Sequence, residues 1–251
     1  MQYEHVRLSI EPPLARLWLA RPDAANRVSV RMLRELADAF EVIAGEDRVH
    51  AVMLAGEGPD FCAGWDEDTY AEGFELGPDA FHFVADAPQP VVAALQGRSV
   101  AAGLELALCA DVRVADATAR MALPETATGG LPRAGGGQRL ARLAGRGTAL
   151  AMVLAGEELD AAAALRAGLV SRVTEDGAAA GEAETIARAI AERGPLATRF
   201  AKEAMRRGLD MTLDQALRYE TDLTIILQTT EDRAEGVRAF LERRKPHFKG
   251  S

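Results

Sequence analysis

Cysteine and histidine are scarce in this sequence. Its 251 residues contain two cysteines and four histidines. Neither residue type shows the paired spacing of a metal site, so we predict no metal and assign the histidines no catalytic role. Both cysteines, Cys62 and Cys109, lie in apolar segments. Because two buried free thiols are typical of a reducing cytosol, we expect a cytoplasmic protein.

Positive charge is also in deficit, with 29 basic against 38 acidic residues and a net charge of −9. This balance disfavours nucleic acid and anionic membranes as partners, and a polyanionic ligand would need a local basic pocket. No uncharged apolar run reaches the length of a membrane span. The first ten residues, MQYEHVRLSI, lack the basic and apolar regions of a signal peptide.

Alternating strand and helix patterns over about 170 residues predict an α/β protein. A helix is predicted over 29–45, with Ser29 as its N-cap and Gly45 at its end. Strands are predicted at 6–10, 15–20, 50–56, 88–97 and 112–116. From about residue 182 the pattern is helical only. The helix at 212–228 has more than one apolar face, which fits either a deep core position or a subunit contact.

Two glutamates stand out in apolar or glycine-rich surroundings. Glu105 lies in the segment AAGLELALCAD, and burying its carboxylate among leucines is costly unless a partner compensates. Glu125 follows a proline and precedes a run of glycines in LPETATGGLPRAGGGQR. We interpret the two glutamates as one site. The alternative is that Glu105 lies on a helix surface and Glu125 on a loop surface.

Four segments together resemble the crotonase, or enoyl-CoA hydratase/isomerase, superfamily, with the enoyl-CoA hydratases as the nearest members. They are FCAGWD (61–66), QGRSVAAGLELALCAD (96–111), LPETATGGLPRAGGGQRL (123–140) and TTEDRAEGVRAFLERRKPHFKG (229–250). The resemblance implies a spiral of ββα repeats over residues 1–190 that carries the active site. It also implies a C-terminal helical region over 191–251, used to form a homotrimer or a dimer of trimers.

The same resemblance implies hydration of a trans-2-enoyl-CoA to a 3-hydroxyacyl-CoA, with coenzyme A as part of the substrate and no further cofactor. The backbone N–H groups of Ala63 and Ala102 are expected to hold the thioester oxygen. Glu105 and Glu125 are expected to hold the reacting water, with Glu125 protonating C2. The glycines next to the two donors, Gly64 and Gly103, are expected to let the backbone approach the ligand closely.

The segment ARPDAANRVSVRM (20–32) resembles the first adenine-contacting segment of the family. The residues expected to contact substrate or coenzyme A are Ala24, Asn26, Arg27, Trp65, Asp66 and Lys249. Asp23 stands where relatives often carry a basic residue, so the phosphate contact must come from Arg21, Arg27, Lys245 or Lys249. Trp65, with Tyr70, Phe74, Phe81 and Phe83 nearby, either forms a wall of the acyl pocket or packs a loop.

Two other functions remain open at this point. The same scaffold supports enoyl-CoA isomerases and other reactions that stabilise an enolate. A non-catalytic acyl-CoA-binding subunit is the alternative from a different class, and the presence of both glutamates argues against it.

Overall fold

The computed structural model describes residues 3–70, 77 and 80–251. Its strands are β1 (Val6–Glu11), β2 (Leu14–Leu19), β3 (Ala51–Gly56), β4 (Val91–Leu95), β5 (Arg98–Val100), β6 (Val112–Asp116), β7 (Arg120–Ala122), β8 (Leu159–Asp160) and β9 (Arg172–Thr174). Its α-helices are α1 (Val30–Ala44), α2 (His82–Ala85), α3 (Ala102–Ala107), α4 (Gly136–Leu154), α5 (Ala161–Arg166), α6 (Ala179–Ala191), α7 (Pro195–Gly208), α8 (Leu213–Leu227) and α9 (Glu231–Glu242). Short 3₁₀ helices lie at Pro22–Ala24, Glu67–Tyr70 and Glu125–Thr128.

The larger sheet has the strand order β1-β2-β3-β4-β6-β9, with β1 and β2 antiparallel and all other neighbours parallel. Every residue of β3 is buried, because helices cover both faces of the sheet. Val52 and Leu54 belong to the core that includes α1, whereas Ala51, Met53 and Ala55 pack with α6. The predicted α/β class and the predicted strands of this sheet are therefore confirmed.

A second sheet, of order β5-β7-β8, positions the two glutamates. β5 and β7 run parallel, with Val100 opposite Ala122, so that their carboxyl ends lie side by side. α3, which carries Glu105, follows β5, and Glu125 follows β7. The sequence pattern missed these strands because elements of two or three residues are too short to show an alternation.

Two of the helices test the predicted boundaries. Ser29 caps α1 as predicted, since its side-chain oxygen accepts a hydrogen bond from the Met32 N–H at 3.0 Å, and the helix ends at Gly45. The helical patterns on either side of Gly145 form one element, α4, with a break at that residue (φ 81°, ψ 158°). Glycine tolerates this backbone conformation, which is strained for other residues.

The C-terminal region consists of α7, α8 and α9. On α8 only Leu223 is buried, and Leu213, Leu217, Ile225 and Ile226 are exposed in the single chain. The core alternative for this helix is therefore wrong, while the trimer contact and the division at residue 190 stay predictions. No helix in the described part of the chain is long and apolar enough to cross a membrane.

Candidate active site

Glu105 is fully buried in the first turn of α3. Its Oε1 accepts hydrogen bonds from the Ala134 N–H at 2.8 Å and the Gly136 N–H at 2.9 Å. Its Oε2 is buried and has no hydrogen-bond partner in the described chain. Burial raises the pKa of the Glu105 carboxyl, and the two N–H groups offset part of that rise. The helix-surface alternative for Glu105 is therefore wrong.

Glu125 begins the 3₁₀ helix after β7, and its backbone carbonyl accepts from the Gly130 N–H at 2.9 Å. Both carboxyl oxygens are buried without a hydrogen-bond partner among the described residues. Burial, followed by the nearby charge of Glu105, raises the pKa of Glu125 to about 7. Two neighbouring buried carboxyls with raised pKa values can divide acid and base roles. The structure therefore brings together the two glutamates that the sequence pairs.

Ala63 does not have a free backbone donor. Its N–H donates to the Ala25 carbonyl at 3.0 Å, so it cannot also hold a ligand oxygen, and the prediction for Ala63 is wrong. The N–H of Trp65, two residues later, has no acceptor in the described part of the chain. The Trp65 N–H is free because this segment pairs with residue 28 through its neighbours. The Gly64 carbonyl accepts from the Val28 N–H and the Asp66 N–H donates to the Val28 carbonyl, whereas the N–H and carbonyl of Trp65 make neither bond.

The free N–H of Trp65 faces away from Val28. In extended backbone, the groups that bond a neighbour on one side alternate with groups that face the other side. Since Gly64 and Asp66 bond to Val28, the N–H of Trp65 between them faces away from residue 28. Cys62 pairs with Ser99 of β5, the strand that leads into α3, so this segment runs beside the start of that helix. Ala102 is the first residue of α3, is buried, and likewise has an N–H without an acceptor among the residues described. The predicted donor Ala102 is thus available, and it is joined by Trp65.

Close packing holds these two segments together. A Cβ on Gly103 would lie 2.1 Å from the Cys62 carbonyl oxygen, so packing against the Cys62 backbone already requires glycine at this position. Ala101, just before α3, has φ 49° and ψ −119°, a conformation that is strained for a residue with a side chain. Gly64 has φ 124° and lies against Ala101. Strained backbone of this kind is common at functional sites.

An aromatic group closes one side of the site. Trp65 is 7% exposed and stacks on Phe81, with ring centroids 5.5 Å apart. Its indole N–H faces Glu105 and lowers the pKa of that carboxyl, but at a geometry short of a hydrogen bond, so Nε1 is buried without an acceptor. The guanidinium of Arg133 lies over the same ring. Trp65 therefore packs against the core and also faces Glu105, whereas Phe74 lies outside the described residues.

The predicted coenzyme A segment forms a tight turn. Asn26 is fully buried, and its side-chain amide donates to the carbonyls of Glu57 and Asp60, both at 2.8 Å. Its Oδ1 accepts from the Arg21 N–H at 2.9 Å. The Asn26 side chain is therefore committed inside the protein, and only its backbone is left for a ligand. Ala24, at the end of the 3₁₀ helix, is half-buried beside it.

The charged residues predicted to contact coenzyme A are in different situations. Asp66 forms an ion pair with Arg21 at 2.7 Å, which neutralises one candidate for the phosphate contact. Arg27 is exposed and forms no ion pair with any residue the structure describes. Lys249 is exposed in the C-terminal tail, where its backbone N–H donates to Asp232 at 2.6 Å. Within the described chain, no hydrogen bond or ion pair joins Lys249 to the glutamates.

Comparison with known proteins gives a consistent result. Residues 10–251 match the enoyl-CoA hydratase/isomerase family. The crotonyl-CoA hydratase of Syntrophomonas wolfei is 35% identical over 99% of both chains, and the 2,3-dehydroadipyl-CoA hydratase of Escherichia coli is 38% identical over 93% of this chain and 94% of its own length. The solved enoyl-CoA hydratase of Bacillus anthracis superposes with a TM-score of 0.92 at 34% identity, over 99% of this chain and 100% of that one. The chain therefore belongs to the enoyl-CoA hydratase/isomerase family and has the crotonase fold.

Proposed function

We propose that this chain is a trans-2-enoyl-CoA hydratase that forms a 3-hydroxyacyl-CoA. The observation that carries the proposal is a pair of buried carboxyl groups with two backbone donors. In the described chain, Glu105 Oε2 and both oxygens of Glu125 have no hydrogen-bond partner, and the N–H groups of Trp65 and Ala102 have no acceptor. The names of the relatives support an enoyl-CoA substrate. Those names span crotonyl and 2,3-dehydroadipyl thioesters, so they leave the acyl group open.

The backbone donors act on the thioester. As water adds to C3, negative charge moves onto the thioester oxygen, and the N–H groups of Trp65 and Ala102 are placed to hold it. Fixed donors aimed at a developing oxyanion contribute roughly 3–4 kcal/mol each in comparable sites. These donors need no reorganisation during the reaction. The packing of Gly103 on Cys62 and the pairing of Trp65 with Val28 hold the start of α3 and residues 62–65 in place.

The carboxyl groups act on the water and on C2. Ionised Glu105, held through Oε1, orients the water with its free Oε2 and takes a proton as the C3–O bond forms. Protonated Glu125 gives its proton to C2 and becomes a carboxylate. The proton taken up by Glu105 then restores Glu125, so the net change is addition of one water. General acid–base catalysis of this kind contributes about 10²–10⁴-fold.

The test is loss of the enoyl-thioester ultraviolet absorbance with crotonyl-CoA, followed by product analysis in ¹⁸O-labelled water. Hydration predicts one labelled oxygen at C3 of the product. An isomerase would instead convert a 3-enoyl-CoA to the 2-enoyl-CoA without incorporating label. Tight binding of thioesters with no reaction of any enoyl-CoA would support the non-catalytic binding subunit.

Hydration is expected to lose activity above pH 7. Glu125 has a pKa raised to about 7, so it is protonated below that pH and ionised above it. Because only protonated Glu125 can give a proton to C2, kcat/KM for hydration should fall about tenfold per pH unit on the alkaline side. Dehydration needs the ionised form and should instead fall on the acid side. Both directions would be measured from pH 5.5 to 9, and the apparent pKa belongs to the coupled pair. Constant hydration up to pH 9 would contradict the acid role.

Gly136→Ala is expected to reduce turnover by about 10²-fold through displacement of Glu105. A Cβ at this position would lie 2.5 Å from Glu105 Cγ and 2.9 Å from Oε1. The matched control is Gly137→Ala, since nothing lies within 4 Å of a Cβ at that next position. Initial rates with crotonyl-CoA compare the two variants. Equal activity of both would show that the position of Glu105 does not limit the reaction.

A further inference from the structure

Arg133 is a half-buried cation beside the two glutamates. It directly precedes Ala134, whose N–H holds Glu105, and its positive charge lowers the pKa of Glu125. Its Nε atom is buried and has no hydrogen-bond partner among the described residues. The proposed hydration assigns no task to this side chain, so its presence in the site calls for another explanation.

The guanidinium is fixed in place by two rings and one threonine. Its Cζ lies 4.9 Å from the ring centroid of Trp65 and 4.2 Å from that of Tyr70. Nη1 and Nη2 donate to the Thr69 carbonyl at 3.2 Å and the Thr69 hydroxyl at 3.1 Å. These two bonds leave three of the five guanidinium N–H donors unused by the described chain. A fixed guanidinium with unused donors is prepared to bind a planar anionic group through two hydrogen bonds.

The guanidinium of Arg133 also has no counter-ion in direct contact within the described part of the chain, since no carboxylate there forms an ion pair with it. A partly buried cation without a counter-ion carries a desolvation cost that an incoming anion would offset. The ionised carboxylate of Glu105 would repel an anionic acyl chain, and Arg133 supplies the opposite charge that makes such a chain acceptable.

We propose that Arg133 determines acyl specificity, and that the preferred substrate has an acyl chain ending in a carboxylate that the guanidinium binds. This inference rests on the proposed hydration of an enoyl-CoA, and it names the substrate class as CoA monothioesters of unsaturated dicarboxylic acids. The candidates for the CoA phosphates, Arg27 and Lys249, lie on other segments.

Binding of saturated thioesters tests the inference without any turnover. The probes are three chain-matched pairs: glutaryl- and pentanoyl-CoA, adipoyl- and hexanoyl-CoA, and pimeloyl- and heptanoyl-CoA. In each pair a terminal carboxylate replaces a methyl group. By calorimetry, the wild type should bind at least one diacid thioester about tenfold or more tightly than its partner, as expected for hydrogen bonds to a charged group.

Variants of Arg133 assign that preference. Arg133→Gln should reduce the diacid-to-monoacid affinity ratio about tenfold, and Arg133→Lys should keep part of it because the charge remains. Arg142→Gln, which changes an exposed arginine of α4, is the matched control and should keep the full ratio. Thermal unfolding of each variant checks that it is folded. If Arg133→Gln is not folded, the affinity ratio of Arg133→Lys still tests the role of Arg133.

The outcomes separate this inference from the proposed function. Equal affinity of the wild type for both members of all three pairs would overturn the inference. Equal losses for both members in Arg133→Gln would also overturn it, and would assign Arg133 to the CoA phosphates or to the scaffold. A retained diacid preference without hydration of hex-2-enedioyl-CoA or hex-2-enoyl-CoA would overturn only the proposed function. Hydration of both with a ratio that depends on Arg133 would support the two together.

Discussion

Replacing Glu125 by glutamine is expected to lower kcat by about 10²–10⁴-fold with the fold intact. The amide has no proton to give to C2, so the acid step loses its donor. The fold should survive, because the carboxyl oxygens of Glu125 make no hydrogen bond to the described residues that the substitution could break. Removing a buried carboxyl next to Glu105 also removes a like-charge contact at alkaline pH.

The measurement is the initial rate of crotonyl-CoA hydration, with circular dichroism and Tm recorded on the same preparations. Glu157→Gln is the matched control, since Glu157 is exposed and lies outside the site. A second reading uses the product: wild-type enzyme in heavy water should exchange a C2 proton of 3-hydroxybutyryl-CoA, and the Glu125 variant should not. If the variant keeps more than a tenth of wild-type kcat, the acid role of Glu125 is wrong.

Gly103→Ala is expected to destabilise the protein by about 3 kcal/mol, the upper part of the range for overpacked cores. A Cβ at this position meets the backbone of Cys62, at 2.1 Å from the carbonyl oxygen and 2.9 Å from the carbonyl carbon. Backbone cannot move aside as the end of a flexible side chain can, so α3 and residues 62–65 must separate. That separation also spreads the N–H groups of Trp65 and Ala102, so kcat/KM should fall with stability.

Urea unfolding measures the loss, with Gly181→Ala as the matched control. Gly181 is an exposed residue of α6, and nothing lies within 4 Å of a Cβ there. Alanine at that position should stabilise the protein by about 0.5–1 kcal/mol, from its better helix propensity. If both variants shift the midpoint by the same amount, the contact with Cys62 is not what requires glycine at 103.

The elements with a complete local pattern follow from the sequence. α1 shows a full helical period with a serine cap, and β3 shows an unbroken apolar run, so both are predictable from their own residues. The burial of Glu105 is predictable for the same reason, since apolar neighbours surround it on a short helix. The pairing with Glu125 came from the resemblance to a family, because nothing local to either residue specifies the other.

The free backbone donors were decided by tertiary structure. Every residue between 61 and 66 has a similar N–H, and the sequence does not say which one lacks an acceptor. That depends on Ala25 and Val28, which are distant along the chain and take the N–H groups of Ala63 and Asp66. The donor therefore lies at Trp65, two residues beyond the predicted Ala63.

Tertiary structure also decided the position of Arg133 and the meeting of the two glutamates at the carboxyl ends of β5 and β7. The position of Arg133 over Trp65 and Tyr70 joins residues more than sixty positions apart, and no periodicity encodes such a contact. The parallel pairing of β5 with β7 brings Glu105 and Glu125 together, through strands of three residues that leave no pattern. By itself the sequence determined the helices and long strands that have a complete local pattern, and the buried faces of elements such as α1 and β3, because burial imposes a local period. Only the tertiary structure decided which polar groups inside the core remain unpaired, because a partner can come from anywhere in the chain.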